Sequence, residues 1–170
     1  MTYSFTDHIH NFAVWTAARA VQRNFTSTKN IRTAIESTSL KELIDMNEEI
    51  SESQFDLFHR QTAKKIISSL ASLKVKASYG QVAKIIAIYI KTGVIIRNLG
   101  RGAISKVAHP PIDRILLKNL NKEYKMYEFK DLRWTQLNED KYFTLIQELR
   151  KLDFEYFWKI EEYWNPVQNE

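Results

Sequence analysis

The chain has 170 residues, which bounds it to one domain with room for a real core. Only four glycines and three prolines argue against a turn-rich sandwich or barrel, and the lack of cysteine excludes a disulfide frame, a thiolate nucleophile and a zinc ribbon. The net charge of +5 admits a polyanionic partner without requiring one, because a modest basic excess also serves as a solvating surface.

Taken in order, Asp7 caps a first helix reaching about Asn24, with Phe12, Trp15, Ala18 and Gln22 on one stripe. Arg19 and Arg23 lie four apart on a neighbouring face and read as solvated cations or as a pair of phosphate contacts. After a turn at Thr26–Lys29, Ile31, Ala34 and Ile35 mark a short helix to Ser37, and Ser39 caps another short piece carrying Leu40, Leu43 and Ile44. A long helix over Gln54–Leu73 follows from the spacing of Phe55, Phe58, Ile66, Ile67 and Leu70; on it His59 reads as a packed or solvated residue.

Lys74–Gly80 is a tight connection, with Gly80 near a helix N-terminus whose amides can receive an anion. Gln81–Arg97 is ambiguous. Its β-branched residues suit a hairpin around Gly93, whereas its helical neighbours and the lack of any sheet to join favour a buried helix. Arg97–Val107 is a basic surface loop or a phosphate clamp. His109 and Pro110 are held extended, Pro111 suits the first position of a helix, and Asp113 falls in that helix's first turn, with Ile112, Ile115, Leu116 and Leu120 on its buried side. Thr135 caps a helix from Gln136 to Lys151, and an aromatic helix over Phe154–Trp164 reads as a C-terminal staple into the core rather than a stacking platform. The expected fold is all-α: a single domain, 1–170, of about seven to nine helices around a central buried helix.

Several chemistries fall away. The chain has no phosphate-binding P-loop, HExxH, GxSxG or dinucleotide fingerprint, and His8 and His10 sit on divergent helical faces, so neither a metal nor a cofactor is expected. Met1–His8 lacks the order of a signal peptide, and Val82–Ile96, interrupted by Lys84 and Lys91, is short for a bilayer span; a cytoplasmic location without membrane contact is the expectation. What remains is Lys84 among Ile85, Ile86, Ile88 and Tyr89, where burial disfavours a charged amine and leaves a nucleophile, and Asp113, a carboxylate on a stiffened helix start. The residues alone also allow a plainer arrangement, in which Lys84 snorkels to the surface and Asp113 only caps its helix.

The order of a glycine-bearing turn, TyrGlyGlnValAlaLys, a basic loop and ProIleAspArg opening a helix resembles the helix-hairpin-helix DNA glycosylases, in particular the archaeal 8-oxoguanine glycosylase branch. The likeness covers about Ile66–Leu120, with one glycine where the family's hairpin has two. A second likeness is to bacterial proteins that carry HisProProIleAsp and a Trp-rich C-terminal helix. The resemblance implies a glycosylase, bifunctional with lyase activity, in which Lys84 attacks the sugar of a damaged or modified base and Asp113 assists. It implies contacts to duplex or single-stranded DNA from Lys76, Ser78, Gly80, Arg97, Arg101, Lys106 and Arg114, and a base pocket formed by Trp15, His109 and Trp134. Two alternatives stay open: a non-catalytic nucleic-acid-binding member of the same fold, and a helical defence or toxin component acting on a protein partner.

Overall fold

The computed structural model describes residues 2–21, 25–126, 129 and 131–167. Within them the chain forms seven α-helices and no strand: α1 (Phe5–Val21), α2 (Thr28–Glu36), α3 (Glu52–Ser72), α4 (Tyr79–Ile90), α5 (Ala103–Val107), α6 (Arg114–Tyr124) and α7 (Glu139–Arg150). Tighter 3₁₀ turns occupy Leu40–Ile44, Trp134–Gln136 and Phe157–Tyr163. The expected end of the first helix at Asn24, with Gln22 and Arg23, lies outside the described residues.

α4 is the axis of the molecule. Apart from Gln81 and Ile88, every residue of it is buried, including Lys84. A helix that is apolar all round is stable only when other elements wrap it, and here α1, α3, α7 and the 40–44 and 134–136 turns do so. That enclosure decides the helix-or-hairpin ambiguity: tertiary burial overrides the strand preference of its isoleucines. The start is specified locally. Ser78 Oγ accepts from the Gln81 N–H (3.1 Å) while Gln81 Oε1 accepts from the Ser78 N–H (3.0 Å), a reciprocal capping box. A second box, between Ser51 and Gln54, opens α3.

Beyond Ile90 the helix continues through Lys91–Ile96 with wider π-type turns. The continuous helix Tyr79–Ile96 is 18 residues long, enough by length and composition for a membrane span, and most of it faces the protein's own core. Gly93 is buried between Ile44 and Ala13 of α1, with room there for a Cβ at ordinary contact distance, 3.4–3.7 Å. Two hydrogen bonds tie the same pair of helices, His10 Nδ1 with Tyr89 OH (2.7 Å) and Thr16 Oγ1 with Thr92 Oγ1 (3.0 Å).

Several boundaries differ from expectation. α1 begins at Phe5, so Asp7, expected to cap it, lies inside its first turn. α6 begins at Arg114, not Pro111, because Asp113 is extended (φ −147°, ψ 179°) and acts as its N-cap. α7 is capped by Asn138, whose Oδ1 accepts from the Lys141 N–H (2.9 Å), while Thr135 lies in the preceding 3₁₀ turn. The aromatic C-terminal segment is a 3₁₀ stretch that buries Phe157 and Ile160.

Candidate active site

The HisProPro step carries the backbone extended into Asp113, and capping fixes that side chain's direction. Asp113 Oδ1 accepts from the Leu116 N–H at 3.0 Å. Its other oxygen, Oδ2, faces α4, where it accepts from Lys84 Nζ (3.2 Å) and from the Trp164 indole N–H (2.8 Å). The lysine ammonium also lies 4.5 Å from the Trp134 ring centroid, within cation–π range. Only 10% of the Lys84 side chain and 14% of the Asp113 side chain reach solvent, so Lys84 does not snorkel out. Two residues 29 apart in sequence are therefore one buried ion pair.

The pair forms part of the wall of a cleft of about 480 Å³ between α1, α4 and the C-terminal segment. Trp15, Thr16 and Arg19 line it from α1, Lys84, Ile88, Lys91 and Thr92 from α4 and its continuation, and Glu161 and Trp164 from the chain's return. The volume falls in the range, roughly 300–1,000 Å³, of sites that enclose a small planar group. Sequence reasoning missed Lys91, Glu161 and Trp164. Lys91 had a signal, since it lies seven residues, or two helical turns, beyond Lys84. Glu161 and Trp164 had none, because they reach the cleft only through long-range folding.

Lys91 and Glu161 form a second ion pair, and the Lys91 ammonium is 5.2 Å from the Trp164 ring centroid. Burial raises the Glu161 carboxyl above the ordinary range; Lys91 opposes that shift and the nearby Asp113 charge adds to it. Trp164 thus sits between the two pairs, donating to one carboxylate and covering the other pair's cation. The π-type turns begin at Lys91, the kind of helix irregularity that recurs at functional sites. A larger cleft, about 750 Å³, lies between the start of α1, α2 and residues 40–45. It holds two ion pairs, Lys41 with Asp7 (2.6 Å) and Arg32 with Glu36 (3.1 Å), both partly exposed, and it lacks the enclosed lysine–carboxylate pair.

The remaining expected site residues separate into three groups. Trp15 lines the cleft and Trp134 covers Lys84, so both stand beside the pair. Lys76, Arg101, Lys106 and Arg114 are exposed, as is Arg97, whose guanidinium bonds to the Ile44 carbonyl and pairs with Asp45 (3.3 Å). Gly80 and His109 need correction, and Ser78 caps α4. The Gly80 N–H donates to the Leu137 carbonyl (3.1 Å), and a Cβ at Gly80 would lie 1.9 Å from the Trp134 carbonyl oxygen. Ser78 is used by its capping box. The Gly80 amide serves the packing of α4 against the 134–137 turn and is not left over for a phosphate, whereas the Ser78 oxygen, an acceptor in its box, keeps its own O–H to donate.

His109 does not line the cleft. It is 3% exposed and belongs to a separate buried network. Asp56 Oδ1 lies 2.8 Å from its Nε2, and the Tyr142 hydroxyl lies 3.1 Å from its Nδ1. His59 Nε2 is 3.5 Å from Tyr142 OH, and the Tyr79 hydroxyl is 3.0 Å from His59 Nδ1. Arg150 binds Asp56 through two nitrogens, at 2.7 and 2.9 Å. One proton arrangement satisfies both histidines and both tyrosines with the rings neutral: Tyr79 to His59, His59 to Tyr142, Tyr142 to His109, and His109 to Asp56. Burial lowers both histidines, His59 well below its usual range, which agrees with neutral rings. For Asp56 burial acts upward, and the hydrogen bonds from His109 and Arg150 outweigh it and hold the carboxyl well below its usual range. Comparison with known proteins returns no match to this chain, whether to a family model, a curated protein or a solved structure.

Proposed function

We propose that the protein is a DNA glycosylase-like enzyme that removes a damaged or modified base, with Lys84 as the nucleophile and Asp113 as the assisting carboxylate. The observation that carries this reading is the approach of the two side chains to 3.2 Å, buried, on the wall of a cleft flanked by Trp15 and Trp164. Asp113 Oδ2 takes the ammonium proton, and the free Nζ bonds to C1′ of the sugar. The C1′–N bond to the base breaks, its electron pair leaves with the base, and the proton that Asp113 took is delivered to that leaving nitrogen. Asp113, a carboxylate again, faces the positive charge on the sugar and then carries a proton from the secondary ammonium that Nζ has become to O4′. Opening of the sugar ring breaks C1′–O4′, protonates O4′ and leaves an imine to Lys84, from which strand cleavage follows.

The test is borohydride trapping, because hydride converts that imine to a stable secondary amine. Protein is incubated with duplex and single-stranded DNA bearing 8-oxoguanine, other modified bases or an abasic site, with Lys84→Gln alongside. A covalent adduct that vanishes in the variant is expected. No adduct on any substrate, with salt-sensitive DNA binding intact, turns the reading to a non-catalytic binding module, which the exposed Lys76, Arg101, Lys106 and Arg114 favour. An adduct that survives in Lys84→Gln overturns the site assignment.

A further inference from the structure

We propose that the outward face of α1 is a stacking track for unpaired nucleotides, leading a single strand into the Lys84 cleft. Phe5, His8, Phe12, Trp15 and Arg19 follow one another at steps of three, four, three and four residues, so they share one face of the helix. Phe5 is 73% exposed, Phe12 54% and Trp15 51%. The rings are arranged as two flat pairs: Phe5 with His8, centroids 6.2 Å apart and planes at 20°, and Phe12 with Trp15, 5.8 Å apart and also at 20°. Seven residues separate equivalent members, roughly 10 Å along the axis.

The chemistry of this face favours bases over a protein partner. The large apolar side chains that α1 exposes are all aromatic, and flat rings suit base faces of any sequence. Its one carboxylate, Asp7, is neutralised by Lys41 (2.6 Å), so nothing on the helix repels a polyanion. The cationic end of the stripe, Arg19, also lines the cleft, as does Trp15, so the track and the cleft are continuous. Paired bases present only their edges in the grooves, so this surface selects unpaired strands. The inference rests on the reading of the cleft as a nucleic-acid site and does not depend on its catalysis.

The experiment measures fluorescence anisotropy of a labelled oligothymidylate of about 15 nucleotides, long enough for one such site, and of a duplex of equal length, at physiological salt. Wild type, Phe12→Ala and Phe12→Tyr are compared, with circular dichroism as the check on folding. Phe12→Ala is expected to weaken single-strand binding by about 5- to 100-fold, the loss of one base stack, with duplex affinity nearly unchanged. Phe12→Tyr, which keeps a ring, retains it. Equal single-strand affinity in wild type and Phe12→Ala overturns the track, as does the absence of single-strand binding, which leaves the face to a protein partner. An adduct in the trapping experiment beside an unaffected Phe12→Ala removes the track and keeps the glycosylase. A Phe12-dependent affinity with no adduct on any substrate does the reverse.

Discussion

Gly80→Ala separates a helix-propensity argument from a packing argument, because the two predict opposite signs. In an exposed helix this change stabilises by about 1 kcal/mol. Here the new Cβ would lie 1.9 Å from the Trp134 carbonyl oxygen and 3.1 Å from both the Trp134 carbonyl carbon and Leu137 Cβ. The nearest obstacles are backbone atoms, so no side-chain rotation relieves the clash. The 134–137 turn must retreat by about 1 Å or more, lengthening the Gly80 N–H bond to the Leu137 carbonyl, now 3.1 Å, and drawing Trp134 off Lys84. Overpacking of this kind costs about 2–3 kcal/mol. In a chain of 170 residues that corresponds to a melting temperature lower by roughly 4–12 °C. Calorimetry and urea denaturation read the stability, and tryptophan emission reads the displacement of Trp134. A variant as stable as the parent, or more so, refutes the claim that this glycine exists to let the turn close over the lysine.

Two further outcomes follow from the same structure. Asp113→Ala leaves the Lys84 ammonium buried without its carboxylate and removes the α6 cap, and should destabilise by about 2–4 kcal/mol, whereas Lys84→Met, after which Asp113 keeps its Leu116 and Trp164 donors, should cost about 1 kcal/mol or less. Urea denaturation of both variants tests that asymmetry, and equal losses would contradict it. The pH dependence is set first by the histidines. His59 and His109, with His10, all lowered chiefly by burial, take up protons more readily in the unfolded chain than in the folded one. Stability is therefore full above the unfolded value of about 6.5 and declines as the pH falls below it. Asp56, held low by His109 and Arg150, adds a further loss only below about pH 4, the unfolded carboxylate value. Melting temperatures across pH 8 to 5 should fall, and a flat profile would show that the His59–His109 network is not neutral in the native state.

The archaeal-type glycosylase resemblance rested on Lys84 and Asp113, and the fold does bring them together. Their partners were illegible. Trp164 lies 51 residues from Asp113, Glu161 lies 70 from Lys91, and Asp56 lies 53 from His109. Such pairings leave no periodic trace, because spacing along a chain encodes only which residues share a face. His109 illustrates the limit. Nothing local said that its ring would turn inward to Asp56 and Tyr142 rather than toward the cleft.

By itself the sequence determined the all-helical class and the long α3, since these follow from apolar repeats near 3.6 residues and from scarce glycine and proline, but it misplaced the inner face of α1, where Ala13, Val14, Ala17 and Ala18 turn inward and Phe12 and Trp15 stay half exposed. It also determined the stiff approach to Asp113. Only the tertiary structure decided that Gln81–Arg97 is helical, because its β-branched residues need enclosure from every side to override their strand preference. The same holds for Gly80, whose missing Cβ has meaning only against the Trp134 carbonyl it faces across the fold. It holds again for the cleft, assembled from α1, α4, Asp113 and the returning C-terminal segment, where burial gives two ion pairs a strength that no local stretch could lend them.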